Sequence, residues 1–380
     1  MNKGIFAQPH KRVLSHGYSS YGLEEFSEVV LVDTSAGTRT FWNHSDSAEE
    51  VLVVVMGGGG GGAASSSSGK NTFVASGGAG GATGIIIVTI PAKSSVNYVV
   101  GAGGSGASGS SINANGSTGG TSSFGSLISC GGGGGGAAAY ALSTSVSISA
   151  VSGGAVSHSG GMLVLSAAGV SQPAQSADSV RKIALGGAPP GSFVSAGITI
   201  PAVSSSTSAA TNGVSIIGQN DAGDDVFLGL VDDAAGVPAK YALSVFLASC
   251  MNIAKARGAS RTTYVNAGDS RGPVSGGSVS ISGSSDGTPG AVKAGDGGIG
   301  GGGGGFFGDT AVNAPSGQAG SGGTFGGGGG IATQATGWVS MRGGAGGVGA
   351  GGGGVATADG TVASGSGGNG MVLIARRPRA

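Results

Sequence analysis

The chain has 380 residues, of which 87 are glycine, while only 9% are charged and the charges cancel to zero. This balance excludes the clustered Lys and Arg surface of a nucleic-acid binder. The run Gly131 to Gly136 breaks any Gly-X-Y period and so excludes collagen, and a 39% hydrophobic content departs from the signature of disorder.

Two cysteines, Cys130 and Cys250, are too few for a disulfide framework and read as small buried hydrophobes. The N-terminus, MNKGIFAQPHKRVLSHGYSS, lacks the apolar core of a signal peptide. No stretch approaches the ~20 apolar residues of a membrane helix. The expectation is a protein made in a cytoplasm that stays there or leaves by a route other than secretion. In the first 36 residues, Phe6, Tyr18, Tyr21 and Phe26 cluster around GYSSYGLEEF.

Glycine is uneven along the chain. Residues 51–138 hold 27 and residues 295–370 hold 34, whereas the longer middle segment, 139–294, holds only 22. Two glycine-dense flanks therefore bracket a segment of nearly ordinary composition. The flanks alternate short β runs with glycine runs. Val51–Met56 is fully apolar and runs straight into Gly57–Gly62. GIIIVTI leads through Pro91-Ala92-Lys93 into VNYVV and reads as a β-hairpin whose turn Pro91 opens. TSSFGSLISC ends in Gly131–Gly136, and MVLIA closes the chain.

A glycine run has two low-energy forms, a flexible coil and an extended left-handed helix with three residues per turn and outward-pointing peptide groups. Side by side, such helices satisfy one another's N–H and C=O groups. The packing requires inward faces without Cβ atoms. Linkers belong at domain boundaries, not directly behind core strands. The five runs Gly57–Gly62, Gly131–Gly136, Gly300–Gly305, Gly326–Gly330 and Gly351–Gly354 therefore predict packed polyglycine II helices in a mainly β fold, a glycine-rich sandwich.

The middle segment reads as an inserted β-rich subdomain with one α-helix. β runs fall at 162–165, 193–200 and 214–217. The helix is expected over 237–258, from Pro238 in the first turn through the apolar spacing of Leu243, Phe246, Leu247 and Met251 to Gly258 as its C-terminal stop. The expected division is an attachment segment, 1–36, a discontinuous glycine-rich domain, 37–138 and 295–377, and the insertion, 139–294.

Chemistry is harder to find. Gly101-Ala102-Gly103-Gly104-Ser105-Gly106 has dinucleotide-site spacing but no helical pattern behind it. GGAASSSSGKN fails as a phosphate loop at Ala64 and Asn71. Asp296 sits in an isolated GDGG, and Asp221, Asp224 and Asp225 miss the EF-hand spacing. His10, His16, His44 and His158 form no metal-ligand pair. Nothing orients Cys130 or a serine toward His158. The basic cluster Arg376-Arg377-Pro378-Arg379 reads as a solvated tail. The expectation is no catalytic residue, no metal and no cofactor. Aromatic residues beside glycine runs are more informative: Tyr140, Phe306, Phe307 and Trp338 are the candidate contact residues, since aromatic side chains on rigid loops give large area at small entropic cost. The alternative is that they cap the glycine layers as small satellite cores.

GTRTFWNHSDSAEEVLVVVMGGGGGG (37–62) resembles the opening of the glycine-rich domain of bacteriophage tail fibre and tail tip proteins. GGAGGATGIIIVTIPAKSSVNYVVGAGGSG (77–106), GGTSSFGSLISCGGGGGG (119–136), GGAGGVGAGGGG (343–354) and SGGNGMVLIARR (366–377) follow in matching order. The resemblance implies a virion protein, assembled in the host cytoplasm, that is not an enzyme. It implies noncovalent binding of a host bacterial surface receptor, a glycan or an outer-membrane protein, by loops between glycine rods. The loops expected to do so are 310–318 and 331–342. It also implies attachment to other tail fibre or baseplate proteins through the N-terminus, and leaves a homo-oligomer such as a trimer open. No nucleic acid or membrane insertion is expected. The competing reading is a structural virion component, a fibre shaft or capsid decoration, without receptor contact.

Overall fold

The computed structural model describes residues 26–67, 72–142 and 145–191 apart from a few positions, short strands between 214 and 308, and 316–378 apart from 334–339 and 358–359. The described part is mainly β and contains no helix. Where the sequence predicts a helix over 237–258, Ala242–Leu243 is a two-residue strand parallel to Val214–Asn220. The rest of the expected helix lies outside the described residues.

The fully apolar runs build a two-sheet sandwich. One sheet has the strand order Glu28–Asp33, Met371–Arg376, Glu49–Met56, Thr83–Ile90, Met162–Ala167, all antiparallel. The other has the order Val156–His158, Ile128–Cys130, Ser122–Phe124, Ser95–Val100, Gly37–Trp42, again antiparallel. Between them lies a core of Val51, Val53, Val55, Ile86, Tyr98, Phe124, Ile128, Val372 and Ile374. Glu49–Met56 and Met371–Arg376 occupy central positions and are buried along most of their lengths, which is why they carry no polar alternation. Cys130 belongs to this core as a free, fully buried thiol.

The expected hairpin is not formed. Thr83–Ile90 pairs in the first sheet and Ser95–Val100 in the second, so residues 91–94 cross from one layer to the other. Gly37–Trp42 and Glu49–Met56 are joined by a matching arch. Each half of one arch thus pairs with half of the other. Asn43, fully buried, pins the two together: its Nδ2 lies 3.0–3.1 Å from the carbonyls of Ser47, Ile90 and Pro91, and its Oδ1 accepts from the Ser45 backbone N–H and hydroxyl. A strand crossing a sandwich buries one apolar face in each layer, a solution that length and turn residues alone do not distinguish from a hairpin.

Behind the sandwich the chain runs into glycine. In the segment 57–63 every backbone N–H is bonded, and to three partners in rotation. The N–H groups of Gly57, Gly60 and Ala63 donate to the carbonyls of Ala82, Ala79 and Ser76; those of Gly58 and Gly61 to Gly120 and Ser117; those of Gly59 and Gly62 to Gly368 and Gly365. The carbonyls rotate likewise. Gly58 and Gly61 accept from Gly133 and Gly136, Gly59 and Gly62 from Gly104 and Ala107, Gly60 and Ala63 from Gly352 and Val355. One glycine segment is therefore surrounded by six others, with a repeat of three residues on every face. Every N–H of 57–63 and every carbonyl of 58–63 thus has a partner, as buried backbone groups require.

Candidate functional site

At their ends away from the sandwich the glycine segments pass into strands of two or three residues. Phe306–Gly308, Ile331–Thr333, Val355–Thr357 and Ala64–Ser66 form a parallel row closed by antiparallel Asn113–Ala114. Val292–Lys293, Ser316–Gln318, Ser340–Arg342 and Thr361–Ala363 form a second parallel row, bordered by Ser280–Ile281 and Ser108–Ser110. Within these rows Phe306 pairs with Ile331 and Ile331 with Val355, offsets of 25 and 24 residues. Ser316 pairs with Ser340 at an offset of 24. The C-terminal flank is thus a solenoid: glycine segment out, short strand, connection, short strand, glycine segment back.

Side-chain size fits this geometry. Ile331 and Val355 point into a cluster with Met341 and Val362, toward the second row. Their neighbours Ala332 and Ala356 point the other way, into a cluster with Phe73, Ala75 and Ala184. That third layer contains Ala138–Ala141, Thr72–Ala75 and Lys182–Leu185. Strands between 138 and 185 therefore share sheets with the glycine-rich flank.

The predicted contact residues fall differently on this frame. Tyr140 is in the Ala138–Ala141 strand directly across from Phe73, half-buried, with ring centroids 6.3 Å apart and the planes tilted by 50°. It covers the small cluster around Phe73. Phe306 and Phe307 are strand residues in the parallel row, paired with Ile331 and Ala332. Trp338 lies outside the described residues. The loops expected over 310–318 and 331–342 are shorter than the sequence reading made them, because Ser316–Gln318, Ile331–Thr333 and Ser340–Arg342 are strands. What remains of the expected loops, 310–315 and 334–339, lies outside the described residues.

Of the remaining chemical groups, the Cys130 thiol is pushed up to about 12 by burial, so it is no thiolate nucleophile near neutral pH. His158 lies on an edge strand, its Nε2 3.2 Å from the Gly161 carbonyl oxygen. Among the described residues no three His, Cys, Asp or Glu side chains gather into a metal-binding group. A shallow recess of about 340 Å³ at the sandwich is lined by Glu49, Glu50, Arg376 and Arg377 among others, but these charges answer each other. Arg376 bonds Glu28 at 2.6 Å and Glu49 at 3.2 Å, Arg377 bonds Glu50 at 3.1 Å, and the Arg377 guanidinium lies 5.3 Å from the Phe26 ring centroid. Arg376 and Arg377 are thus cross-strand ties, not a solvated tail, and Phe26 is buried against the body.

The sequence reading passed over Trp42, which is 53% exposed at the end of its strand. Its signal, an aromatic residue at an outward strand position next to an arch, needs the register to be seen.

No curated protein matches the chain closely enough to count as a relative. The family model of the glycine-rich domain matches residues 34–323, from the first arch of the sandwich through the first glycine segments and into the solenoid, and the chain belongs to this glycine-rich domain family.

Proposed function

We propose that this chain is a bacteriophage tail fibre or tail tip protein that binds a host bacterial surface receptor noncovalently, through chain connections at the ends of packed polyglycine II helices. The observation that carries the reading is the three-residue hydrogen-bond rotation of 57–63 among six neighbours. A left-handed helix with three residues per turn and no internal bonds presents its peptide groups in this rotation. Glycine is required because a Cβ on any of Gly57–Gly62 would sit 1.9–2.3 Å from a neighbouring carbonyl oxygen. Such a bundle is rigid, and binding connections are best held by rigid scaffolds. Residues 309–315 and 334–339, the proposed contact segments, follow the paired strands Phe306–Gly308 and Ile331–Thr333 and precede the paired strands Ser316–Gln318 and Ser340–Arg342. The receptor is a glycan or an outer-membrane protein, the N-terminal segment attaches to other tail fibre or baseplate proteins, and many copies per virion convert weak contacts into firm adsorption. The resemblance of the segment order to that of phage tail tip domains supports the same reading.

The test is binding of the purified protein to susceptible bacteria, with competition against adsorption of the phage that carries it. Saturable binding that blocks adsorption is expected. Well-folded protein that neither binds nor blocks would favour a structural virion component instead.

A further inference from the structure

We propose that the outer face of the second sandwich sheet is a separate binding platform for a neutral glycan, built around Trp42. This platform lies at the sandwich, not at the strand rows beyond the glycine segments, and it stands or falls independently of the receptor-binding connections.

Strand alternation turns Phe41, Val96 and Tyr98 into the core and leaves Trp42, Thr40, Ser95 and Asn97 on the outer face. All four are exposed. Trp42 pairs with Ser95 and Thr40 with Asn97 in the register, and the Thr40 hydroxyl donates to Asn97 Oδ1 at 2.8 Å. Two residues further along, Thr38, Ser123, Ser129 and Ser157 form an aligned row with Val99 across all five strands, at the roughly 4.8 Å step of neighbouring strands. The face therefore offers one indole, an amide and a grid of hydroxyls, and none of these side chains is charged.

An indole left 53% exposed beside hydroxyl and amide side chains offers an apolar ring face next to hydrogen-bonding partners. The core of a protein interface gathers further aromatic and Met side chains around such an anchor. Of the other large exposed apolar side chains, Val32, Met162 and Leu163 are in the first sheet and Leu142 follows the strand Ala138–Ala141 of the third layer. A pyranose ring fits better. Its C–H face carries slight positive charge and is drawn to the negative face of the indole, while its hydroxyls meet hydroxyl and amide partners. Lack of charge on the face points to a neutral sugar. Preorganisation strengthens the case. Trp42 is followed by the Asn43 hub that locks both arches, and its ring is stacked on His44 with centroids 6.1 Å apart and 11° between the planes. Lys93 reaches across from the other arch to the His44 carbonyl at 2.8 Å and to Asp46 at 3.0 Å. A rigid indole loses little entropy on binding.

The chain has two tryptophans, so Trp338→Phe leaves Trp42 as the single emitter. Titrating this variant with cellohexaose and maltohexaose, beside affinity electrophoresis through hydroxyethylcellulose, glycogen and galactomannan, is expected to give a saturable emission shift with at least one neutral glycan. In electrophoresis Trp42→Ala should lower affinity about tenfold or more, Asn97→Ala less, and Met162→Ala, on the first sheet, not at all. An unchanged melting curve for Trp42→Ala would show that the loss is not unfolding. No shift or retention with any of these glycans would overturn the proposal. So would equal retention of Trp42→Ala, or retention only by anionic polymers such as alginate.

Discussion

Gly60→Ala is the most informative single change to the scaffold. The added methyl would lie 1.9 Å from the Gly134 carbonyl oxygen and 2.6 Å from its carbon. The neighbouring segment must therefore move by roughly 1 Å, in an interior packed as densely as a crystal. That shift pulls at the Gly134 carbonyl, which accepts from Ala79 at 2.9 Å, and at the Gly134 N–H, which donates to Ser152 at 2.9 Å. It also strains Gly60's own bonds to Ala79 and Gly352. Leaving two buried backbone groups unpaired costs about 2–6 kcal/mol at ~1–3 kcal/mol each, a large part of a domain's ~5–15 kcal/mol of stability. Gly160→Ala is the control, since its methyl would meet only the Leu127 side chain within 4 Å, chiefly the flexible Cδ2 end. Urea unfolding of both variants against the parent measures the difference. If Gly60→Ala falls within ~0.5 kcal/mol of the parent, the ordinary range for surface changes, the close-packing argument fails.

Other outcomes follow from individual residues. Asn43→Ala should destabilise by about 2–4 kcal/mol in urea, because it strips the hub from three carbonyls and Ser45; a loss below that range would mean that water replaces the hub. Arg376→Gln should cost about 1 kcal/mol, a modest figure because the pair with Glu28 is partly exposed, and a double-mutant cycle with Glu28→Gln should recover a coupling that high salt weakens. In a Cys250→Ser background, Cys130 should resist alkylation at pH 8 until urea unfolds the chain. Its folded pKa is raised to about 12 by burial, so the stability this gives is complete below the unfolded thiol's pKa of ~8.5. It is then lost as pH rises toward 12, by at most about 1.4 kcal/mol per pH unit; rapid native-state labelling at pH 8 would contradict the burial. Replacing 309–315 and 334–339 with short Gly-Ser connections should leave the melting temperature unchanged and abolish adsorption to host cells, and retained adsorption would move the contact elsewhere.

What the sequence disclosed depended on how many residues carried each signal. Glu49–Met56 and Met371–Arg376 were legible because central strands buried on both faces write continuous apolar runs. The β character of the fold and the structural use of the glycines followed from the same joins. The crossing at 91–94 was not legible, since an arch and a hairpin share turn residues and differ only in which layer the second strand joins. The solenoid of 24–25 residues was missed because each turn contributes only a three-residue strand such as Ile331–Thr333 or Val355–Thr357 between glycine runs of unequal length. The helical spacing over 237–258 rested on Leu243, Phe246, Leu247 and Met251, of which Leu243 lies in the strand Ala242–Leu243 and the others lie outside the described residues. At the candidate site, an aromatic residue behind a glycine run such as Tyr140 reads equally as a loop tip or as the cap of a small core, and only the pairing with Phe73 places it over a small core. Trp42 and Asn43 were adjacent in the sequence yet opposite in role, one exposed and one fully buried, a distinction that only the register makes.

The claim on which the rest depends is that the glycine segments are a bonded, close-packed scaffold. Site-resolved amide hydrogen exchange over residues 51–63 tests it directly. The N–H groups of Gly57 to Ala63, each bonded to a neighbouring segment, should exchange as slowly as those of Val51 to Met56 in the core strand, through global unfolding. Exchange at the rate of an open chain for Gly57–Gly62, beside a protected Val51–Met56, would make the run a tether and remove the scaffold from under the proposed receptor-binding connections.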